Sequence, residues 1–127
     1  LNESMHYLDS QGSICHAAMT ISNDLFINTI VIMTESGVTA MKMAQHRPRA
    51  RIFALSPDSN VCRQLALIWG VTPLLVNPVT STDKMIIDSS ELLKERKFIK
   101  KGESFIITAG VPVGVTGSTN MLKIHSV

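Results

Sequence analysis

The 127-residue sequence is poor in aromatic side chains, in cysteine and in net charge. Aromatic residues make up 5% of the chain, which disfavours a surface on which nucleic-acid bases stack. The 12 Lys and Arg residues nearly balance the 10 Asp and Glu residues, so electrostatic attraction to nucleic acid is weak. The longest apolar stretches, Leu25–Met33 and Leu65–Val76, are too short to span a bilayer. These deficits predict a soluble protein that binds neither nucleic acid nor a membrane.

The two cysteines and the first residue indicate the setting of the chain. Cys15 and Cys62 lie in helix-like segments without metal-ligand spacing, which favours a reducing compartment. No signal sequence opens the chain and residue 1 is Leu, which suggests a fragment or an excised domain of a longer protein. The length and the 45% hydrophobic share fit one domain with a full core. We expect residues 1–12 to be a linker from a preceding domain and residues 13–127 to form the domain itself.

Short apolar segments alternate with amphipathic segments along the chain, as in an α/β protein. The predicted strands are Thr29–Met33, Arg51–Leu55, Thr72–Val76, Ser104–Ala109 and Met121–Val127. The first two predicted helices run from Ile14 to near Asn23-Asp24 and from Val38 to His46. The third is capped by Ser56-Pro57-Asp58, with the proline at its first position, and closed by Gly70, and the fourth is capped by Thr80–Asp83 and runs to about Phe98. Strands that alternate with helices pair in parallel through right-handed crossovers. The pattern therefore predicts a three-layer α/β/α sandwich with a five-stranded, mostly parallel sheet, whose alternating last strand is antiparallel or at an edge.

The turn after the first predicted strand has the composition of an anion site. Thr34, Ser36 and Thr39 each supply a hydroxyl, and the free N–H groups and positive dipole end of the following helix attract anions. Gly37 allows a ligand to approach the backbone closely. A simpler interpretation stays open, in which Ser36 caps the helix and the two threonines satisfy local backbone groups. Glu35 opposes anion binding unless it points away.

A glycine-rich segment, Gly110–Asn120, precedes the last strand. Its three glycines and its hydroxyl residues suit a loop that folds over a ligand, and loops of this length in compact domains are often functional. The alternative is a long crossover or hairpin turn. Ligands of parallel sheets collect at the carboxyl ends of strands, where both this segment and the first turn lie.

Catalytic motifs are absent from the sequence. His6, His16, His46 and His125 have no ligand spacing with Cys, Asp or Glu, so they predict no metal centre. No phosphate-binding Gly-x-x-x-x-Gly-Lys loop, nucleophile elbow or dinucleotide fingerprint occurs. Glu35 is the one candidate base near the two loops, which makes an independent enzyme a poor hypothesis.

Four blocks in a fixed order carry a family resemblance: Ile30–Gly37, Arg47–Ala50, Lys100–Glu103 and Gly110–Asn120. In this order and spacing, the stretch from about Gly12 to Val127 resembles the C-terminal domain of pyruvate kinase. The resemblance implies a regulatory domain of a cytosolic glycolytic enzyme that transfers phosphoryl from phosphoenolpyruvate to ADP. It further implies that the active site, with its Mg²⁺ and K⁺, belongs to a barrel domain absent from this sequence. This chain would then be catalytically silent, with no cofactor of its own.

The resemblance also implies an effector site between the two loops, for a sugar phosphate or a nucleoside monophosphate. The matching residues are Thr34, Glu35, Ser36, Gly37 and Thr39 for the phosphate, with Gly114, Thr116, Gly117 and Ser118 as the covering loop. Two departures favour a monophosphate, or an unused site, over fructose 1,6-bisphosphate. Val38 stands where family members often have a basic residue, and residues 80–90 contain neither the Trp nor the Arg that clamps a second phosphate.

The family resemblance implies a homotetramer in which this domain meets its own copy and also contacts the barrel domain. Val38–Arg47 and the predicted edge strand Met121–Val127 are the candidate contacts between copies, because an unpaired strand edge invites pairing. The alternative function is a free-standing phosphometabolite-binding module with the same fold.

Overall fold

The computed structural model describes residues 10–110 and 119–127, which form four helices and five strands. The helices are α1 (Ser10–Leu25), α2 (Val38–Gln45), α3 (Ser59–Leu65) and α4 (Thr82–Glu95). The strands are β1 (Thr29–Met33), β2 (Arg51–Ser56), β3 (Val71–Leu75), β4 (Ser104–Ala109) and β5 (Met121–Ser126). They form one sheet in the order β3-β2-β1-β4-β5, in which β1 to β4 are parallel and β5 runs antiparallel to β4 at the edge. The predicted fold class is confirmed.

Two apolar cores lie on opposite faces of the sheet and explain the unbroken apolar runs of its central strands. On β1, Ile30 and Ile32 face the core built with α1, α2 and α3, whereas Val31 faces the core built with α4. Successive side chains of a strand point to opposite faces, so a strand covered on both sides needs apolar residues at every position. The three layers of the predicted sandwich follow directly from this arrangement.

Two helices begin at different residues from those predicted. Helix α1 already includes Ser10 and the buried Gly12, although the sequence predicts a linker through residue 12. A glycine in a helix costs about 1 kcal/mol relative to alanine, which burial of this helix face can offset. Helix α3 is capped by Asp58, whose Oδ1 accepts from Asn60 N at 2.8 Å, so Pro57 lies before the helix rather than at its first position.

Three helices end at a non-glycine residue in the left-handed conformation. Phe26, Arg47 and Lys97 have φ values of 54°, 49° and 62° and follow α1, α2 and α4. At the end of α4, Phe98 N donates to Leu93 O at 2.9 Å and Lys97 N donates to Lys94 O at 3.0 Å. This pair of backbone hydrogen bonds is the Schellman motif. It ends α4 at Glu95, three residues before the predicted end.

Strand β5 packs through both of its faces. Leu122 packs against the core beneath α1, while the ring of His125 lies 5.4 Å from that of Phe105. Burial, followed by the nearby charge of Lys123, lowers the pKa of His125. Ile124 is exposed, so the apolar side of this predicted edge strand is only partly covered. No helix within the described ranges is long and apolar enough to cross a membrane.

Candidate functional site

The strand order creates a crevice between β1 and β4 at the carboxyl edge of the sheet. From β1 the chain proceeds outward to β2, whereas from β3 it returns across the sheet through α4 to β4 on the other side of β1. The connections that follow β1 and β4 therefore leave in opposite directions, which is where ligands bind in open α/β sheets. A cleft of about 160 Å³ lies at this position.

The cleft combines an apolar floor with a group of hydroxyls at one side. Its floor is formed by Met33, Leu55 and Met85, and one wall by Pro57, Val76, Pro78 and Val79. Its hydroxyls belong to Thr34, Ser36, Thr39 and Thr119. The site thus has the usual composition of a small-molecule pocket, in which a few polar groups orient a ligand against apolar surface.

The turn between β1 and α2 is shaped by Gly37. This residue is the N-cap of α2 with φ +87° and ψ −6°, a left-handed conformation that favours glycine. A Cβ at this position would meet Val61 Cγ1 and Leu65 Cδ2, each at 3.4 Å. Gly37 N donates to the buried Thr34 Oγ1 at 2.7 Å, which holds the turn against the end of β1. The backbone conformation therefore favours glycine here, and the Cβ of another residue would lie in contact with α3.

The hydroxyls predicted as phosphate ligands have different present partners. Thr34 accepts from Gly37 N, as the simpler interpretation of a local backbone contact expects. Ser36 Oγ accepts from Val38 N at 3.4 Å, a long contact for a hydrogen bond, and its side chain is exposed. Thr39 does not serve a local backbone group, because its hydroxyl bonds that of Thr119 at 2.8 Å. Ser36 is thus the hydroxyl most open to a ligand.

The N-terminus of α2 supplies the positive potential of the cleft. The N–H groups of Thr39 and Ala40 belong to the first turn, so they have no acceptor within the helix. Partial positive charge from the aligned peptide dipoles is concentrated at the same place. Among the residues lining the cleft in the described ranges, Glu35 is the only charged one, and its side chain is exposed. Attraction for an anion here depends on oriented N–H and O–H groups rather than on a cation.

The floor of the cleft continues into a second groove beside α4. This groove, of about 320 Å³, shares Met33, Leu55 and Met85 with the cleft and is also lined by three carboxylates. They are Asp88, Glu91 and Glu95, whose spacing places them along one side of the helix. Lys84 Nζ lies 3.1 Å from Asp88 Oδ2 and offsets one of these charges. The two ends of the continuous depression therefore differ in charge: N–H donors at one end and carboxylates at the other.

The structure brings the first predicted loop onto the cleft. Thr34, Glu35, Ser36 and Thr39 line it, and Gly37 shapes the turn beneath. The predicted covering residues Gly114, Thr116, Gly117 and Ser118 lie outside the described residues.

Sequence reasoning missed the wall that follows β3, residues 76–79. The Asn77-Pro78 pair after a predicted parallel strand was a usable signal, because the carboxyl ends of all these strands meet at one edge. Thr119 also lines the cleft, although the sequence analysis gave it no role beyond membership of the glycine-rich segment.

Metal ligands and cysteines are the remaining groups in the described residues that could carry chemistry. Within residues 10–110 and 119–127, no group of three or more His, Cys, Asp or Glu residues could hold a metal ion. Cys15 and Cys62 form no disulfide. Burial, together with the neighbouring charge of Asp58, raises the pKa of the Cys62 thiol, so it stays protonated at neutral pH and is a weak nucleophile.

Comparisons with known proteins agree on one family. The model of the family described as "Pyruvate kinase, alpha/beta domain" matches residues 12–125. Pyruvate kinase of Clostridium acetobutylicum is 38% identical over 108 residues, which cover 85% of this chain and 23% of that protein. Pyruvate kinase of Lactobacillus delbrueckii subsp. bulgaricus is 36% identical over 113 residues, 89% of this chain and 19% of that protein.

A solved structure gives the same result. The crystal structure of a pyruvate kinase from Cryptosporidium parvum superposes with a TM-score of 0.82 at 26% sequence identity, over 94% of this chain and 23% of that one. The chain thus spans about a fifth of the length of the relatives that it matches. Since family model, sequence and fold coincide over nearly all of its residues, the chain belongs to the pyruvate kinase family, in which it corresponds to the C-terminal α/β domain.

Proposed function

We propose that this chain is the regulatory and oligomerisation domain of a cytoplasmic pyruvate kinase of glycolysis, and that its cleft binds a phosphorylated effector. One observation carries the proposal: the N-terminus of α2 opens into a cleft that lies at the switch point of the sheet and is lined by four hydroxyls. The unprotonated oxygens of a phosphate accept hydrogen bonds, so N–H and O–H donors are their natural partners. Phosphoryl transfer itself, with Mg²⁺ and K⁺, is assigned to the barrel domain of the whole enzyme.

The charge pattern of the depression supports one phosphate rather than two. A phosphate at the start of α2 leaves the remainder of the ligand against the apolar wall that includes Val76 and Val79. Beyond that wall the groove carries the carboxylates Asp88, Glu91 and Glu95, which repel a second phosphate. A sugar monophosphate or a nucleoside monophosphate has an uncharged portion that fits this part. Fructose 1,6-bisphosphate would place its second phosphate near like charges.

Exposed apolar side chains support self-association through the same domain. Val38 and Met41 of α2 and Ile124 of β5 are exposed large hydrophobic residues. Strand β5 pairs with β4 on one side, so its other edge presents backbone groups to which a second strand could bond. These features favour a homo-oligomer in which two copies of the domain meet, with α2 and β5 as the candidate contacts.

The test measures ligand-dependent stability of the 127-residue chain and of two variants of Ser36. A ligand that binds only the folded state raises the melting temperature, so a panel of sugar phosphates and nucleoside monophosphates is screened by thermal shift. Ser36→Asp places a negative charge at the proposed phosphate position and should weaken binding by at least about tenfold. Ser36→Asn is the matched control, since it has nearly the same shape without the charge.

Two results would contradict the proposal. One is a panel in which no phosphate ester raises the melting temperature of the unchanged chain. The other is an equal ligand response in Ser36→Asp and Ser36→Asn, which would place the bound phosphate elsewhere on the molecule.

A further inference from the structure

A pair of buried threonine hydroxyls joins two distant parts of the cleft. Thr39 Oγ1 and Thr119 Oγ1 lie 2.8 Å apart, although 80 residues separate them along the chain. Thr39 belongs to the first turn of α2, and Thr119 stands two residues before β5. Both line the cleft, and their residues are 3% and 4% exposed. The bond therefore connects the proposed phosphate-binding turn with the start of the edge strand.

The number of protons on these hydroxyls limits what the pair can do. Each threonine hydroxyl has one proton to donate and two lone pairs to accept with. One proton lies between the two oxygens, and the other is available to a third group. An unprotonated phosphate oxygen that accepts from Thr39 fixes the direction of the chain: Thr119 donates to Thr39, and Thr39 donates to the phosphate. Such chains strengthen each bond in them.

Within the described residues, Thr119 is the hydrogen-bond partner of the Thr39 hydroxyl. The staggered rotamers of a threonine side chain point its hydroxyl in different directions. A rotamer that turned Oγ1 of Thr39 away from the cleft would lose this bond. The hydroxyl of Thr119 holds Oγ1 of Thr39 at 2.8 Å on the cleft side instead, so the rotamer is selected before any ligand binds.

Thr119 is also tied to the sheet through the residue that follows it. Asn120 N donates to Ala109 O at 3.0 Å, and β4–β5 pairing begins with Ala109 opposite Met121. A displacement of Thr119 therefore affects the first pair of this antiparallel ladder. At the opposite end of the same two strands, Ser104 Oγ and Ser126 Oγ are 3.3 Å apart and exposed. Neither serine of this second hydroxyl pair lines the cleft or the groove beside α4, so the pair serves as a control.

We propose that Thr119 is a positioning residue that acts through Thr39: it directs the Thr39 hydroxyl to a bound phosphate and thereby couples phosphate binding to the start of β5. The inference rests on the proposed function, because it needs an anion at the N-terminus of α2. Thr119 thus joins the site although it lies outside the first loop. The bond between Thr39 and Thr119 is then the contact through which a bound phosphate affects β5.

The test is a double-mutant cycle with inorganic phosphate as the titrant. Thr119→Val keeps the shape and removes the hydroxyl, and should weaken phosphate binding by about fivefold, the effect of one lost hydrogen bond. Thr119→Ser restores the hydroxyl and should bind as the unchanged chain does. In a Thr39→Val background, Thr119→Val should have no further effect, because the two residues act in series. Thr119→Ala replaces Thr119→Val if the valine variant does not fold.

Amide hydrogen exchange supplies a readout that a purely structural role would not alter. Saturating phosphate should slow exchange at Asn120, Met121 and Leu122 in the unchanged chain and in Ser126→Ala. In Thr119→Val the same saturation should leave these amides at their unliganded rates.

Different failures have different meanings. If the unchanged chain binds phosphate and Thr119→Val binds it equally well, the inference is wrong and the proposed function stands. If Ser126→Ala loses as much affinity as Thr119→Val, the effect belongs to β5 stability and the inference is also wrong. If the unchanged chain binds neither phosphate nor any phosphate ester, both proposals fall.

Discussion

The two ends of the sheet differ in charge, and the proposed phosphate site lies at the less basic end. The amino end, where β1 to β4 begin, has seven exposed basic residues: Arg47, Arg49, Arg51, Arg96, Lys97, Lys100 and Lys101. The carboxyl end has the cleft, whose described lining contains a single charged residue, Glu35. We place the phosphate at the end with fewer positive charges, because oriented N–H and O–H groups are there and because the cleft is open.

The basic residues of the amino end are partly engaged in holding loops together. Arg51 donates to Thr29 Oγ1 at 3.2 Å and to Phe98 O at 2.5 Å. The guanidinium of Arg47 lies 5.9 Å from the ring centroid of Trp69, a favourable cation–π arrangement. These contacts join the beginnings of β1 and β2 to the segments that precede β3 and β4. A count of cations therefore does not locate a binding site, since two of these seven residues already make structural contacts.

Two glycines with nearly the same backbone conformation give the strongest test of this comparison. Gly37 at the carboxyl end has φ +87° and Gly70 at the amino end has φ +86°. Alanine at either position should cost about 1–2 kcal/mol of unfolding free energy through its left-handed backbone. Gly37→Ala adds a Cβ at a contact distance of 3.4 Å from Val61 and Leu65, and Gly70→Ala adds one that meets nothing within 4 Å, so the two costs should be similar.

Denaturant unfolding and phosphate titration of the two variants separate these effects. We expect Gly37→Ala to weaken phosphate binding by about tenfold or more, since a shift of one ångström in a binding loop is costly. Gly70→Ala should bind phosphate normally. Equal affinity in the two variants would mean that the turn before α2 takes no part in binding.

Most of the fold was predictable because the signals are local. Thr29–Met33 is a run of five residues without charge that follows Asn28 and precedes the polar turn Thr34-Glu35-Ser36, and such a run has few outcomes besides a strand covered on both faces. The alternation of Met121–Val127 likewise identified the edge strand. Helix ends were harder to place, since Lys97 takes a conformation for which glycine is the usual signal. The start of α1 at Ser10 depended on tertiary packing of Gly12, which no local pattern reports.

The candidate site was predictable in part for the same reason. The turn from Thr34 to Thr39 is one continuous segment, so its hydroxyls and Gly37 could be recognised together. The bond between Thr39 and Thr119 joins residues 80 positions apart, and its existence depends on how β5 meets α2. The wall at residues 76–79 comes from a third segment. Contacts of this kind depend on the order of the strands in the sheet, so local sequence patterns do not predict them.

The amino end can be stabilised without any effect on the cleft. Lys97 occupies the left-handed position of the Schellman motif that ends α4, where glycine has no steric cost. Lys97→Gly should therefore raise the unfolding free energy by about 0.5–1 kcal/mol. Arg96→Gly is the matched control: its φ of −79° is helical, so glycine there should destabilise by about 0.5–1 kcal/mol. Equal losses in both variants would show that Lys97 makes a contact outweighing its strain.

Reversal of charge at the amino end should have the smallest effect on phosphate binding. The strands are five or six residues long, so the two ends of the sheet are about 15–20 Å apart. Screening acts over about 8 Å at 0.15 M ionic strength, and the double variant Lys100→Glu, Lys101→Glu should then change phosphate affinity by less than about twofold. At 0.01 M, where screening extends to about 30 Å, a modest loss should appear. A large loss at the higher ionic strength would instead assign phosphate to the basic end, and the proposed cleft would no longer be needed to explain binding.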